Sequence, residues 1–199
     1  MCIQGKGYKM SLIEEIMDFN HKFVSAGEYE QFFTDKYPEK NLAIVSCMDA
    51  RILDLLPRAL GLKNGDAKVI RNAGALITHP WGSVMRSLLL AVFEMNVHEI
   101  MVIGHNDCGM QALHVPDMLD RMRSRGITNE CIETLENAGI DFYKWLTDFD
   151  RVEDAITYSV NMIRKHPLML PEIKVHGLVI DPITGQLTVV INGDENAIV

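Results

Sequence analysis

The sequence predicts an α/β fold: a mainly parallel central sheet flanked by helices, with an antiparallel C-terminal edge strand and an N-terminal helical arm. Three observations carry the prediction. Residues 41–46 (NLAIVS) and 100–103 (IMVI) are short runs whose apolarity is continuous rather than alternating, as strands covered on both faces require. Longer stretches with helical spacing of apolar residues lie between such runs, and alternating strand and helix is the order that yields a parallel sheet. Finally, residues 175–180 and 187–191 flank a turn containing Pro182 and Gly185, a hairpin that adds an antiparallel edge.

The elements follow in order. Ser11 and Glu14 stand at capping-box spacing, and Leu12, Ile13, Ile16, Met17, Phe19 and Phe23 then recur close to the helical period. Residues 11–25 are read as an amphipathic helix and 28–33 as a second short one. An arm of this kind packs on its own core or on a partner subunit, and both remain open. Residues 41–46 form the first strand. Residues 52–60 are read as helical and are ended by Gly61, which accepts the left-handed conformation that closes helices. A second strand at 67–70 leads into Arg71-Asn-Ala-Gly74. A long apolar helix at 84–95 precedes the third strand at 100–103. Helical patterns follow at 110–114, 116–125, 129–137 and 152–166. Residues 137–150 are the least periodic part of this half and read as a surface excursion, and residues 1–9 read as loosely structured.

At roughly 150 residues per domain, 199 residues make one domain, with 1–40 as a helical arm belonging to it and 41–199 as the α/β core. No repeat, Pro/Ser-rich linker or charge block divides it. A formal charge of −8 repels a phosphate backbone, and the arginines at 121, 123 and 125 fan around a helix as a solvated face. Nucleic acid and anionic membrane are therefore excluded as expected partners. No apolar run approaches the roughly 18 residues of a membrane helix. The four cysteines, Cys2, Cys47, Cys108 and Cys131, occur without a secretory signal, so a reducing cytoplasm is expected rather than a disulfide framework.

Two segments stand out because they follow equivalent strands. Cys47-Met-Asp49-Ala-Arg51 follows the first strand, and His105-Asn-Asp-Cys108 follows the third. Open parallel sheets bind ligands at the carboxyl ends of their strands, and adjacent parallel strands would bring the two cysteines together. Two thiolates and an imidazole suit zinc, which takes sulfur and nitrogen ligands tetrahedrally; three protein ligands leave a fourth position open. A shell closed by Asp49 is the alternative. Asp49 and Arg51 lie two residues apart, so in an extended strand end both side chains face one way, where a guanidinium clamps a carboxylate and lowers its pKa. Isolated, either cysteine would be a small buried hydrophobe. Cys2 and Cys131 have no matching context.

These residues resemble the β-class carbonic anhydrases: Cys47-Met-Asp-Ala-Arg51, Arg71-Asn-Ala-Gly74 and Gly104-His-Asn-Asp-Cys-Gly109, with the closing Val175-His-Gly-Leu-Val-Ile-Asp181. The likeness runs from about residue 42 to 191 and is to short prokaryotic members with a plant-type site. It implies one Zn2+ per chain, held by Cys47, His105 and Cys108, and a catalytic dyad of Asp49 and Arg51. It also implies reversible hydration of carbon dioxide to bicarbonate by zinc-bound hydroxide. A homodimer or higher homo-oligomer, with N-terminal helices embracing the neighbouring subunit, is implied too. Gly74 would let backbone approach the mouth of the site. The pattern departs from the family at Ala75, where Asn is frequent. His79, on the loop after Gly74, is the best proton-shuttle candidate, and apolar side chains around residues 84–90 are expected to form a dry pocket. Two other functions fit the same residues. One is a carbon disulfide or carbonyl sulfide hydrolase of the same fold. The other is a non-catalytic zinc protein with a closed Cys2-His-Asp shell, against which the arginine paired with Asp49 argues. No G-x-G-x-x-G, Walker-type loop or C-x-x-C is present, which removes nucleotide-binding and thiol redox readings.

Overall fold

The computed structural model describes residues 10–146 and 148–195; the expectations for residues 1–9, Cys2 among them, fall outside these. The chain divides into two compact units, Met1–Asp35 and Lys36–Val199.

In the first unit, α1 spans Leu12–Ser25. Its start is the capping box read from sequence: Glu14 N–H donates to Ser11 Oγ at 3.4 Å, and Ser11 N–H donates to the Glu14 carboxylate at 2.8 Å. No residue of α1 is buried, so its apolar stripe is left uncovered within the unit. Gly27, at φ 70°, turns the chain into the second short helix, Glu28–Phe32, which is of the 3-10 type.

The second unit is built on five strands: β1 Leu42–Cys47, β2 Ala67–Asn72, β3 Glu99–His105, β4 Lys174–Ile180 and β5 Leu187–Ile191. They lie in the order β2-β1-β3-β4-β5. The first three pairings are parallel and β4–β5 is antiparallel, as the sequence predicts. Side chains alternate between two cores. Ala43, Val45, Ile100, Val102, Val175 and Val179 meet the helices α3 (Ser83–Met95) and α7 (Val152–Arg164) on one face. Leu42, Ile44, Ile103, Leu178 and Ile180 meet Ile52 and Leu56 on the other. Burial on both faces is what made the runs read as continuous.

Close approach of α7 depends on two glycines. A Cβ on Gly104 would lie 2.6 Å from Val152 Cγ2, and one on Gly177 would lie 2.5 Å from Ile156 Cγ2. Any side chain there would drive the helix off β3 and β4.

Three helical readings are corrected. The stretch 52–60 is broken: Ala50–Ile52 is a 3-10 turn and α2 covers only Leu55–Ala59. The stretch 110–114 is a 3-10 turn, Gly109–Ala112. The excursion at 137–150 carries a short helix, α6 (Phe142–Trp145), capped by Asp141, whose carboxylate accepts from Lys144 N–H at 3.1 Å. One turn is too short to show a period, yet Phe142 is buried with Val115, Leu119 and Ile132. It thus closes a small separate core with α4 (Val115–Ser124) and α5 (Asn129–Asn137).

Candidate metal centre

β1 and β3 are neighbours in parallel register, with Ser46 opposite Ile103. Their carboxyl ends therefore lie side by side, and each delivers its motif to the same place. Cys47, His105 and Cys108 are all buried, and their ligand atoms lie within 4.8 Å of one another; among the described residues they form the one such group. The two sulfurs are 3.8 Å apart, a separation that suits two ligands of one tetrahedral ion.

The hydrogen bonds fit this use. His105 Nδ1 lies 2.8 Å from the Asn106 carbonyl, which only a protonated Nδ1 can satisfy. Its Nε2 is thereby left as the lone-pair nitrogen, and it is buried without a hydrogen-bond partner. A buried polar atom left unpaired is costly, and a metal ion between the sulfurs would resolve that cost. Gly74 N–H points at Cys47 Sγ from 3.4 Å. The thiols themselves show what the pocket favours. Cys47 is pulled down to about 4, first by its hydrogen bond with the Cys108 thiol, which outweighs the opposing effect of burial. The same contact pushes Cys108 up. Two thiolates this close repel each other, and a dipositive ion is what would allow both there. His105 is raised, chiefly by Cys47.

Asp49 and Arg51 are paired as expected, by a different geometry. They do not continue the strand; Asp49 is the N-cap of the Ala50–Ile52 turn, and its carboxylate accepts from Arg51 N–H at 2.8 Å. The guanidinium folds back on the same carboxylate, Nε to Oδ1 at 3.1 Å and Nη2 to Oδ2 at 2.9 Å. This fork lowers Asp49 to about 2. Asp49 Oδ2 is 3.7 Å from His105 Nε2, beside the three candidate ligands and outside their group.

Four contributors were not assigned roles from sequence. Asp107, left-handed at φ 54°, offers Arg51 both its carboxylate, at 2.8 Å from Nη1, and its carbonyl, at 2.8 Å from Nη2. Arg51 thus ties the two motifs together. Arg71 donates three hydrogen bonds, two to the Cys47 carbonyl and one to that of Asp49, and so fixes the backbone on either side of Met48. Gln111 accepts from Cys108 N–H at 3.3 Å and donates to the Asp150 carbonyl at 3.2 Å. Phe149 packs against both main cores. A signal for Asp107 and Arg71 existed, since both sit inside the quoted motifs; Gln111 and Phe149 had none.

The cavity at the cysteines measures about 230 Å³ and is lined by Met48, Asp49, Ala73, Gly74, Gly109 and Met110 with the two sulfurs. Residues 84–90 do not line this cavity: Met85 and Leu88 are in the main core, buried by the packing of α3 on the sheet, while Arg86, Leu89 and Leu90 line a separate space of about 340 Å³ with Trp81 and Phe93. Gly74, at φ 75°, does bring backbone to the cavity. Ala75 is also left-handed, at φ 57°, a conformation that Asn tolerates better. His79 is exposed and lends its Nδ1 to Trp81 N–H at 3.0 Å; it does not line this cavity.

A sequence model of the family described as carbonic anhydrase matches residues 42–187. YtiB of Bacillus subtilis, itself assigned as a carbonic anhydrase only provisionally, is 50% identical over 187 residues, covering 94% of this chain and 100% of that protein. A carbon disulfide hydrolase of Acidithiobacillus thiooxidans is 30% identical over 157 residues, covering 74% and 76%. Among solved structures, the crystal structure of β-carbonic anhydrase isoform I from Trichomonas vaginalis superposes with a TM-score of 0.85 at 37% identity, covering 92% of this chain and 100% of that one.

Proposed function

This chain belongs to the β-class carbonic anhydrase family, and from that premise we propose that it interconverts carbon dioxide and bicarbonate. The site is the one built by Cys47, His105, Cys108, Asp49 and Arg51, with one zinc ion per chain. The observation that carries this reading is the place of Asp49: both its oxygens are held by Arg51, and it stands beside the ligand group rather than in it. A closed structural shell would have no use for that arginine.

Zinc held there supplies Lewis acidity that makes water a nucleophile, at a pH somewhat above the value of about 7 of a three-histidine site because two sulfur ligands already neutralise the ion. The protein's own residues do the rest. Asp49, ionised across the working range because Arg51 holds it low, accepts the hydrogen bond of the attacking water and turns its lone pair toward the substrate carbon. As the new carbon–oxygen bond forms, one π pair of carbon dioxide moves onto oxygen, and the water's proton leaves toward solvent. Arg51 keeps Asp49 from closing on the ligand group. Arg71 holds the carbonyls of Cys47 and Asp49, so thiolate and carboxylate keep a fixed separation. Met48 and Met110 give the cavity apolar walls suited to a small neutral molecule.

Stopped-flow carbon dioxide hydration across pH, with zinc content measured on the same sample, tests this. One zinc per chain and activity rising above about pH 7 are expected; full zinc with no hydration at any pH would refute it. The second reading, hydrolysis of carbon disulfide, draws on the relative of that name, and sulfide release from carbon disulfide is its assay.

The exposed stripe of Leu12, Ile16 and Phe19 supports a homodimer or higher homo-oligomer through the arm, which sedimentation of the full chain and of a chain lacking residues 1–35 would test. A site that needs two reduced cysteines supports a cytoplasmic location. No helix of the described residues is long and apolar enough to cross a membrane.

A further inference from the structure

Three side chains converge on the bare Cα of Gly74. A Cβ there would lie 3.0 Å from Met110 Cγ, 3.1 Å from Phe149 Cε1 and 3.3 Å from Leu76 Cδ1. Gly74 and Met110 line the cavity of about 230 Å³ at the cysteines. Leu76 and Phe149 line a different and larger one, about 530 Å³, whose other walls include Thr78, Ala155 and Tyr158. The two spaces therefore back onto each other, and Phe149 and its two neighbours fill the ground between them.

The position of Phe149 is fixed from the metal-ligand turn. Gln111 spans from Cys108 N–H to the carbonyl of Asp150, the residue after Phe149. One amide thus reads both the sulfur-bearing turn and the segment that carries the ring. An amide is suited to this because it accepts on one side and donates on the other.

We propose that Phe149, held in place by Gln111, is a specificity-determining partition that closes the metal cavity off from the larger one and so restricts the site to small linear molecules. The inference rests on the reading of the site as an open metal centre and goes beyond it by naming what limits ligand size. Without the ring, the two cavities merge, and a ligand seated on the metal can extend a bulky group into the second space. Carbon dioxide, which needs only the first, loses nothing by volume.

The test uses the full-length chain loaded with cobalt(II), whose visible spectrum reports ligands at the metal, and two probes: cyanate, linear and triatomic, and 4-phenylimidazole. In Phe149→Ala, 4-phenylimidazole should bind at least about tenfold tighter than in the parent, the lower end of what pocket size decides, while cyanate stays within about twofold. Phe149→Leu, a milder change that keeps the core filled, should give a smaller gain in the same direction if the alanine variant fails to fold. Gln111→Glu keeps an acceptor for Cys108 N–H but loses the donor to Asp150, and should also favour 4-phenylimidazole. Cyanate binding with no gain for 4-phenylimidazole in either Phe149 variant would overturn the partition and leave the open site standing. If neither probe perturbs the spectrum of parent or variant, the open-site reading fails and the partition falls with it.

Discussion

The two turns that build the centre do the same job by opposite means. The turn after β1 provides one candidate ligand, Cys47, and the Asp49–Arg51 pair, and its backbone is held from a distance by Arg71 on the neighbouring strand. The turn after β3 provides two candidate ligands, His105 and Cys108, and is held locally: His105 by the adjacent carbonyl of Asn106, Cys108 by Gln111 three residues on. Arg51 reaches from the first turn into the second, where it binds both the carboxylate and the carbonyl of Asp107. The first turn thus adds a carboxylate beside the group, and the second contributes two of the group's three members. Their division of labour explains why neither motif alone would be specific.

The largest test of that comparison is loss of a ligand. Cys47→Ser and Cys108→Ser should each weaken zinc by more than the roughly 10–100-fold typical of outer hydrogen-bonding partners, measured by chelator competition; full stoichiometric zinc in either variant would remove that cysteine from the set. Next is Arg71→Leu, which strips three hydrogen bonds from the first turn only. It should cost about 1.5–3 kcal/mol in urea unfolding and lower turnover with zinc retained. An effect on zinc equal to that of a lost ligand would show that the turns are not held independently. Asp107→Ala should matter less. Its carboxylate is exposed, such pairs are worth about 0.2–1 kcal/mol, and its carbonyl still binds Arg51. A fall in turnover of no more than about fivefold is expected, and a larger one would mean that the bridge between turns is a principal support.

The smallest effect is expected at a third strand end, which carries no chemistry. Asp181, after β4, accepts from Ile183 N–H, Thr184 N–H and the Thr184 hydroxyl, and the Thr184 backbone bond first of all holds its carboxyl below the ordinary 3.8. Because the folded value is the lower one, this stabilisation is fully present above about pH 4 and is lost as pH falls through the folded value. Asp181→Asn should flatten the acid limb of stability against pH without altering zinc affinity.

The central strands β1 and β3 were legible because both their faces are covered. Ala43 to Val45 alternate between two cores, so every position had to be apolar. The convergence of Cys47, His105 and Cys108 was legible because they sit at the ends of two such strands. What escaped the sequence was short or long-range. The Gly109–Ala112 turn and α6 have too few residues for a period, and the break between Ile52 and Leu55 does not interrupt the apolar spacing. Arg71 and Asp107 could be seen but not assigned, because their partners lie on other strands. Gln111 and Phe149 could not be seen at all, since the Gln111 to Asp150 bond joins residues 39 positions apart and neither residue belongs to a recognisable pattern. The apolar stretch 84–90 serves elsewhere: one face of α3 packs on the sheet through Met85 and Leu88, and Leu89 and Leu90 line a space apart from the cysteines.

Cys47 and Cys108 are 61 residues apart in the chain. Bringing two points so distant together in an unfolded chain costs about 4 kcal/mol of conformational entropy. An ion gripped by both sulfurs in the folded state alone therefore acts as a cross-link over the whole β1-to-β3 crossover. Stripping it should loosen a loop of that length, a larger thermodynamic loss than the same ion would leave behind if its ligands came from the His105–Cys108 turn alone.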